Sequence, residues 1–157
     1  IGVAPVGSGR VRWNRQAALA GTFNSHIGWA GQRTLLVPGT LGDNLSLASG
    51  SVEPDALAEL LAACGLSSLI EQRGLALQLD SRGSGLSGGE RRRIGLIRAI
   101  ASNRPVLLLD EPTADLDAET ADQVITLLGR IARHRLVIAA THDDALIAIA
   151  DSLVELS

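Results

Sequence analysis

Short continuous apolar runs recur in the second half of the chain, at Val106–Leu109 and Leu136–Ala140. The first, inside "PVLLLDEP" (105–112), is bounded by prolines, and such a run suits a parallel strand buried on both faces. "RLVIAATH" (135–142) reads as a second fully apolar strand. Between them, "DAETADQVITLLGRIARH" (117–134) places apolar residues at helical spacing and predicts an amphipathic helix. "EPDALAELLAACGL" (53–66) predicts another, with Pro54 near its start and Gly65 as its stop. "SSLIEQRG" is a short helix, 87–102 a longer one and "DDALIAIA" a further one, while "SLVELS" reads as a last strand. Earlier, "GRVRWN" (9–14) and "SHIGWAGQ" (25–32) read as strands, the second ending near Gln32. "LLVPGTLGDNL" is a turn-rich entry into a helical region, and "LALQLDSRGSG" reads as loop. Strand and helix alternate, which is the α/β pattern. The mostly helical stretch of about 40–103 interrupts it, so the expected layout is one partial domain. Its core is formed by 1–39 and 104–157, with a helical subdomain inserted between them.

Composition narrows this picture. A chain of 157 residues, 46% hydrophobic and 20% charged, has enough apolar mass for one modest domain with a core. Its net charge of −3 gives no reason to expect nucleic acid. Arg91, Arg92 and Arg93 form the one basic run and read as a solvated helix face. Cys64 is the single cysteine, which excludes an internal disulfide and suits a small core residue. No stretch has the roughly 18 apolar residues of a membrane span, and no signal peptide is visible, so the domain reads as cytoplasmic. The absence of Met predicts a piece of something longer. All 14 basic residues are Arg, so a function that requires lysine is incomplete within these residues.

Chemistry-bearing residues gather where the apolar runs end. Asp110-Glu111-Pro112 follows one run and Thr141-His142-Asp143 the other. Ligands of open parallel sheets bind beyond the carboxyl ends of the strands. There an aspartate can hold Mg²⁺, an adjacent glutamate can polarise a water, and a histidine can contact a phosphate oxygen. The bland alternative makes Asp110 and Glu111 turn residues and His142 a helix cap. Asp117 fits a helix cap outright. "GLSGGERRRIGLIRAI" (85–100) raises the same choice, because Ser87 and Glu90 match the S-x-x-E capping box. The box does not explain Gly88 and Gly89, each about 1 kcal/mol worse than alanine in a helix. A glycine-bearing helix start with free N–H groups suits a phosphate.

These motifs, in this order, resemble the nucleotide-binding domain of ABC ATPases. "LSGGE" (86–90) resembles the ABC signature, with Glu90 where Gln is commoner, and "VLLLDEP" (106–112) resembles Walker B with its catalytic glutamate. "TADLD" (113–117) is similar to the D-loop, "TH" (141–142) to the H-loop and "GWAGQ" (28–32) to the Q-loop, although Ala30-Gly31 replaces the usual Val-Pro. The resemblance covers essentially the whole chain. It implies a P-loop NTPase (RecA-like) parallel sheet with an inserted α-helical subdomain, and ATP and Mg²⁺ as cofactors. By position, Asp110 and Gln32 would serve the Mg²⁺, Glu111 would be the general base and His142 would contact the γ-phosphate. Gln32 would also link metal and water to the transport partner. Ser87, Gly88, Gly89, Glu90 and Asp117 would act on ATP held by a second nucleotide-binding domain. The family also implies a transmembrane partner domain and a place on the cytoplasmic face of the cell membrane.

One departure stands out. The Walker A pattern G-x-x-x-x-G-K-[ST] does not occur, and "GSGR" (7–10) has no lysine and precedes a strand. The first strand and P-loop of the family are therefore expected to be absent, leaving the sheet with exposed apolar surface. The stretch between Gln32 and Leu86 suits a compact helical subdomain rather than a long coiled coil. "VPGTLGDNLSLA" (37–48) is similar to exporter sequences after the Q-loop, and most resembles the heterodimeric cysteine/glutathione exporters of cytochrome bd assembly. Ser81 stands where exporters commonly carry Glu before the signature. The implied function is the ATP-hydrolysing domain of a membrane exporter. The alternatives are a non-catalytic module that lends its signature face to a partner, or a soluble translation-factor type of ABC protein.

Overall fold

A computed structural model describes residues 12–13, 15–17, 25–48 and 53–155. Its centre is a parallel sheet of β3 (Ile27–Ala30), β6 (Val106–Asp110) and β7 (Leu136–Ala140), in the order β3-β6-β7. Ala30 pairs with Leu109, and Leu109 with Ala139, so all three carboxyl ends reach the same edge. Two small antiparallel pairs stand apart: β1 (Arg12–Trp13) with β2 (Gln16–Ala17), and β4 (Gly39–Thr40) with β5 (Gln78–Leu79). Of the strand expected over 9–14, residues 9–11 and 14 lie outside the described residues.

β6 is the centre strand, with Val106, Leu107 and Leu109 buried. β7 is parallel as expected but alternates: Leu136 and Ile138 are 57% and 48% exposed on an uncovered face, while Val137 and Ala139 pack against the core on the other. Around the sheet lie α1 (Leu41–Ser46), α2 (Pro54–Ala63), α3 (Ser67–Arg73), α4 (Gly88–Ala101), α5 (Ala118–Ala132) and α6 (Asp144–Ala148). Helix α4 is the keystone. Ile94, Leu96, Ile97, Ala99 and Ile100 put one face of it in the core, against β3 and α1. Leu41, Leu45, Cys64, Leu66, Leu107 and Val124 join the same hydrophobic cluster. Cys64 is fully buried, and desolvation pushes its thiol up to about 12, so it is an inert core residue as expected.

Two expectations fail. Gln78–Leu79, read as loop, pairs with Gly39–Thr40, because Leu79 is buried and the main chains meet there. Of the last strand expected over 152–157, residues 156–157 lie outside the described residues, and Ser152–Glu155 forms no ladder: Leu153 and Val154 are 59% and 77% exposed and no strand among the described residues receives them. The arginine run is also less solvated than its composition suggests. Arg91 Nη1 donates to Leu86 O at 2.7 Å, and Arg92 Nη1 pairs with Asp115 Oδ2 at 2.7 Å.

Candidate functional site

The parallel register carries Asp110, Glu111, Thr141 and His142 to one edge of the sheet. Asp110 is the last residue of β6, level with Ala140 of β7. Glu111 continues the ladder, its N–H donating to Ala140 O at 2.8 Å, but its backbone then turns into the left-handed region at φ 50°. A glutamate held there costs about 1–3 kcal/mol, which the surrounding structure must offset. The turn leaves the carboxyl facing the tip of β7. Thr141 Oγ1 donates to Glu111 Oε2 at 3.4 Å, and His142 Nε2 stands 3.7 Å from Glu111 Oε1. The latter is an ion-pair distance rather than a hydrogen bond, and it attracts only when the imidazole is protonated. The His142 side chain is 99% exposed and that of Glu111 24%, so the histidine is free to swing while the carboxylate is held.

His142 is not the cap of the following helix. Asp143 is, accepting from Ala145 N at 2.9 Å, and the Thr113 hydroxyl holds its carboxyl below the ordinary carboxylate range. Gln32 lies exposed in the bend after β3, beyond the same sheet edge. Gly31 and Asp110 line one small cavity of about 10 Å³ with Arg92 and Arg93, enough for a single water. Arg93 Nε is buried without a hydrogen-bond partner among the described residues. Among those residues no cluster of three His, Cys, Asp or Glu could cage a metal. Asp110 and Gln32 share only the sheet edge, and their oxygens are of the type that Mg²⁺ takes alongside several waters.

The second group is the start of α4. Glu90 N donates to Ser87 Oγ at 3.1 Å and Ser87 N donates to Glu90 Oε2 at 2.6 Å, a complete capping box. The box consumes the N–H of Ser87 and of Glu90. No acceptor among the described residues takes the N–H of Gly88 or Gly89. A Cβ at Gly88 would meet nothing nearer than Arg91 Nη2 at 4.0 Å, so this fold does not itself require glycine there. At Gly89 the nearest atom would be Arg93 Nη1 at 3.1 Å, the far end of a flexible side chain. Two open glycines with free donors at a helix start are a pattern that suits an anion.

Asp117 caps α5 through both oxygens, accepting from Thr120 N and from Thr120 Oγ1 at 2.9 Å each, and those bonds lower its pKa. The Arg92–Asp115 pair ties the first turns of α4 to the turn that leads into this cap. Thr141 has no role of its own in the sequence motifs. The signal was available in a hydroxyl beside a histidine at a strand tip.

The family model described as ABC transporter matches residues 1–114. Over 111 residues the chain is 45% identical to the glutathione/L-cysteine transport system ATP-binding/permease protein CydC of Escherichia coli, covering 71% of this chain and 19% of that protein. It is 32% identical over 128 residues to the CydD protein of the same system in Haemophilus influenzae, covering 82% of this chain and 22% of that one. Among solved structures, a bacterial Atm1-family ABC exporter with ATP bound superposes with a TM-score of 0.81 at 25% identity, covering 92% of this chain and 26% of that chain. The chain thus spans about a fifth of the length of the curated relatives it matches.

Proposed function

The chain belongs to the ABC transporter family, and from that premise we propose that it serves as part of the ATP-hydrolysing domain of a membrane exporter. The observation that carries the reading is the gathering of Asp110, Glu111 and His142 at the carboxyl edge of one parallel sheet. In the proposed reaction a water oxygen attacks the γ-phosphorus of ATP. The bond from that phosphorus to the β,γ-bridging oxygen breaks, and ADP leaves with the electron pair. Glu111 accepts the proton of the attacking water, and Thr141 orients its carboxylate. His142 reaches the γ-phosphate, which its exposure permits. Mg²⁺, held by Asp110 and Gln32 with water and phosphate oxygens, would neutralise charge on the phosphates.

Gly88 and Gly89 would present their free N–H groups, and Ser87 its hydroxyl proton, to the γ-phosphate held by a second nucleotide-binding domain, with Glu90 fixing the helix start and Asp117 acting across the same interface. Two ATP molecules would then lie between paired domains at the cytoplasmic face, beneath a transmembrane partner domain. A lysine to grip the phosphates would come from outside these residues, which contain none. The relatives named for glutathione and L-cysteine transport support a small thiol as cargo. The helical stretch of about 40–103 would be the unit that carries the signature.

Replacing Glu111 by Gln in the full-length protein should cut ATP turnover by about 10²–10⁴-fold while ATP binding persists. Turnover equal to that of the parent would sink this reading. The free donors at Gly88 and Gly89 also support a second reading, in which this chain only completes a partner's site. The Glu111→Gln measurement separates the two, because the second reading expects turnover in the full-length protein to be unchanged by it.

A further inference from the structure

Resting on the function proposed above, a second set of contacts bears on how such a domain passes a movement from nucleotide to membrane partner. Beyond Gln32 the segment Thr34–Val37 runs directly over α4. A Cβ on Gly95 would collide with the Thr34 side chain, so this helical glycine accommodates the close approach. One turn further along the same face, Arg98 grips the segment: Nη1 donates to Leu35 O and Nε to Asn44 O, each at 2.6 Å. Its Nη2 donates to Asn44 Oδ1 at 2.5 Å. Asn44 is fully buried, and its amide closes the same loop, accepting from Val37 N at 3.0 Å and donating to Val37 O at 2.9 Å and Thr40 O at 3.0 Å. Charge-assisted bonds are the strong ones, and removing the guanidinium would leave the part-buried Asn44 O without this donor.

The clasp has a directional result. Leu36 is buried beneath the segment while its neighbours Leu35 and Val37 stand 84% and 40% exposed, an apolar edge held in place from behind. The helix that holds it is the one whose first residues are the free donors Gly88 and Gly89. We propose that Arg98 is a positioning residue that makes α4 a rigid lever, so that the phosphate-accepting end and the Leu35–Val37 edge move as one body. Neither catalysis nor nucleotide contact is assigned to it.

The test uses the full-length protein in a Glu111→Gln background, with Mg-ATP as the probe and amide hydrogen exchange as the readout. ATP binding is measured separately by calorimetry. Without Arg98 substitution, ATP should slow exchange at 87–95 and at 34–37 together, each about tenfold. In Arg98→Gln, slowing should remain at 87–95 and vanish at 34–37, and Arg98→Lys should restore at least half of it. The inference is overturned if 34–37 does not respond to ATP in the parent, or if Arg98→Gln responds like the parent. It is also overturned if Arg98→Gln loses protection along all of α4 while Arg98→Lys fails to restore the 34–37 response, since Arg98 would then only support folding. Absence of ATP binding in the parent would instead refute the functional reading on which the inference rests, and the inference would fall with it.

Discussion

Helices α1 and α4 begin alike and end up with different opportunities. Each opens with a complete capping box, Thr40 with Asp43 and Ser87 with Glu90. At α1 the next two donors are consumed inside the protein: Leu41 N–H goes to Leu77 O at 2.8 Å and Gly42 N–H to Leu75 O at 2.9 Å. At α4 the equivalent donors of Gly88 and Gly89 meet no acceptor among the described residues. A capping box therefore reports where a helix starts, and the partners of its first-turn N–H groups report whether that start is available to a ligand.

The largest expected effect comes from Gly88→Asp in the full-length protein. An acid in the first turn favours the helix by about 0.3–1 kcal/mol through the macrodipole, so the melting temperature should hold or rise. The same charge would occupy the phosphate position, and ATP turnover should fall about 10²-fold. If both quantities fell together, α4 would be an ordinary helix start like α1 and the contrast would be broken. Next in size, Thr40→Ala and Ser87→Ala should each cost about 1 kcal/mol in denaturant unfolding. Thr40→Ala should leave turnover per folded molecule unchanged and Ser87→Ala should lower it, because only the second cap borders free donors.

The smallest effect is an acid titration. Bonds from the Thr40 hydroxyl and backbone hold the Asp43 carboxyl below its ordinary 3.8. A depressed carboxylate contributes stability that is present above the unfolded value and lost as pH falls through the folded one. The start of α1 should therefore loosen only below pH 3.8, and Thr40→Ala should move Asp43 back towards that value in an NMR titration.

The contrast also shows what could be read from the residues alone. Ser87 and Glu90 at their spacing announced the box, and the glycines between them announced that something more was present. The equivalent Thr40–Asp43 box went unread because Pro38 and Gly39 made its surroundings look like turn. β6 and β7 were both legible as strands, since a short apolar run bounded by polar residues has few other readings. Their different exposure was not legible: a wholly apolar run carries no period, and only the packing of the fold separates a covered face from an open one. Strands as short as β4 and β5 leave no pattern at all, because distant main-chain pairing fixes them. The Arg98–Asn44 clasp was hidden for a similar reason, although an arginine set among Ile97, Ala99 and Ile100 was a hint that its charge had a partner.

The left-handed turn at Glu111 has a practical consequence for anyone engineering this molecule. Glycine or asparagine occupies that backbone conformation more readily than glutamate, so a library selected only for heat tolerance should enrich such replacements at this position. The winners would be sturdier proteins that no longer carry the Glu111 carboxylate facing the tip of β7. A thermal screen on this scaffold therefore needs an activity filter applied in the same round.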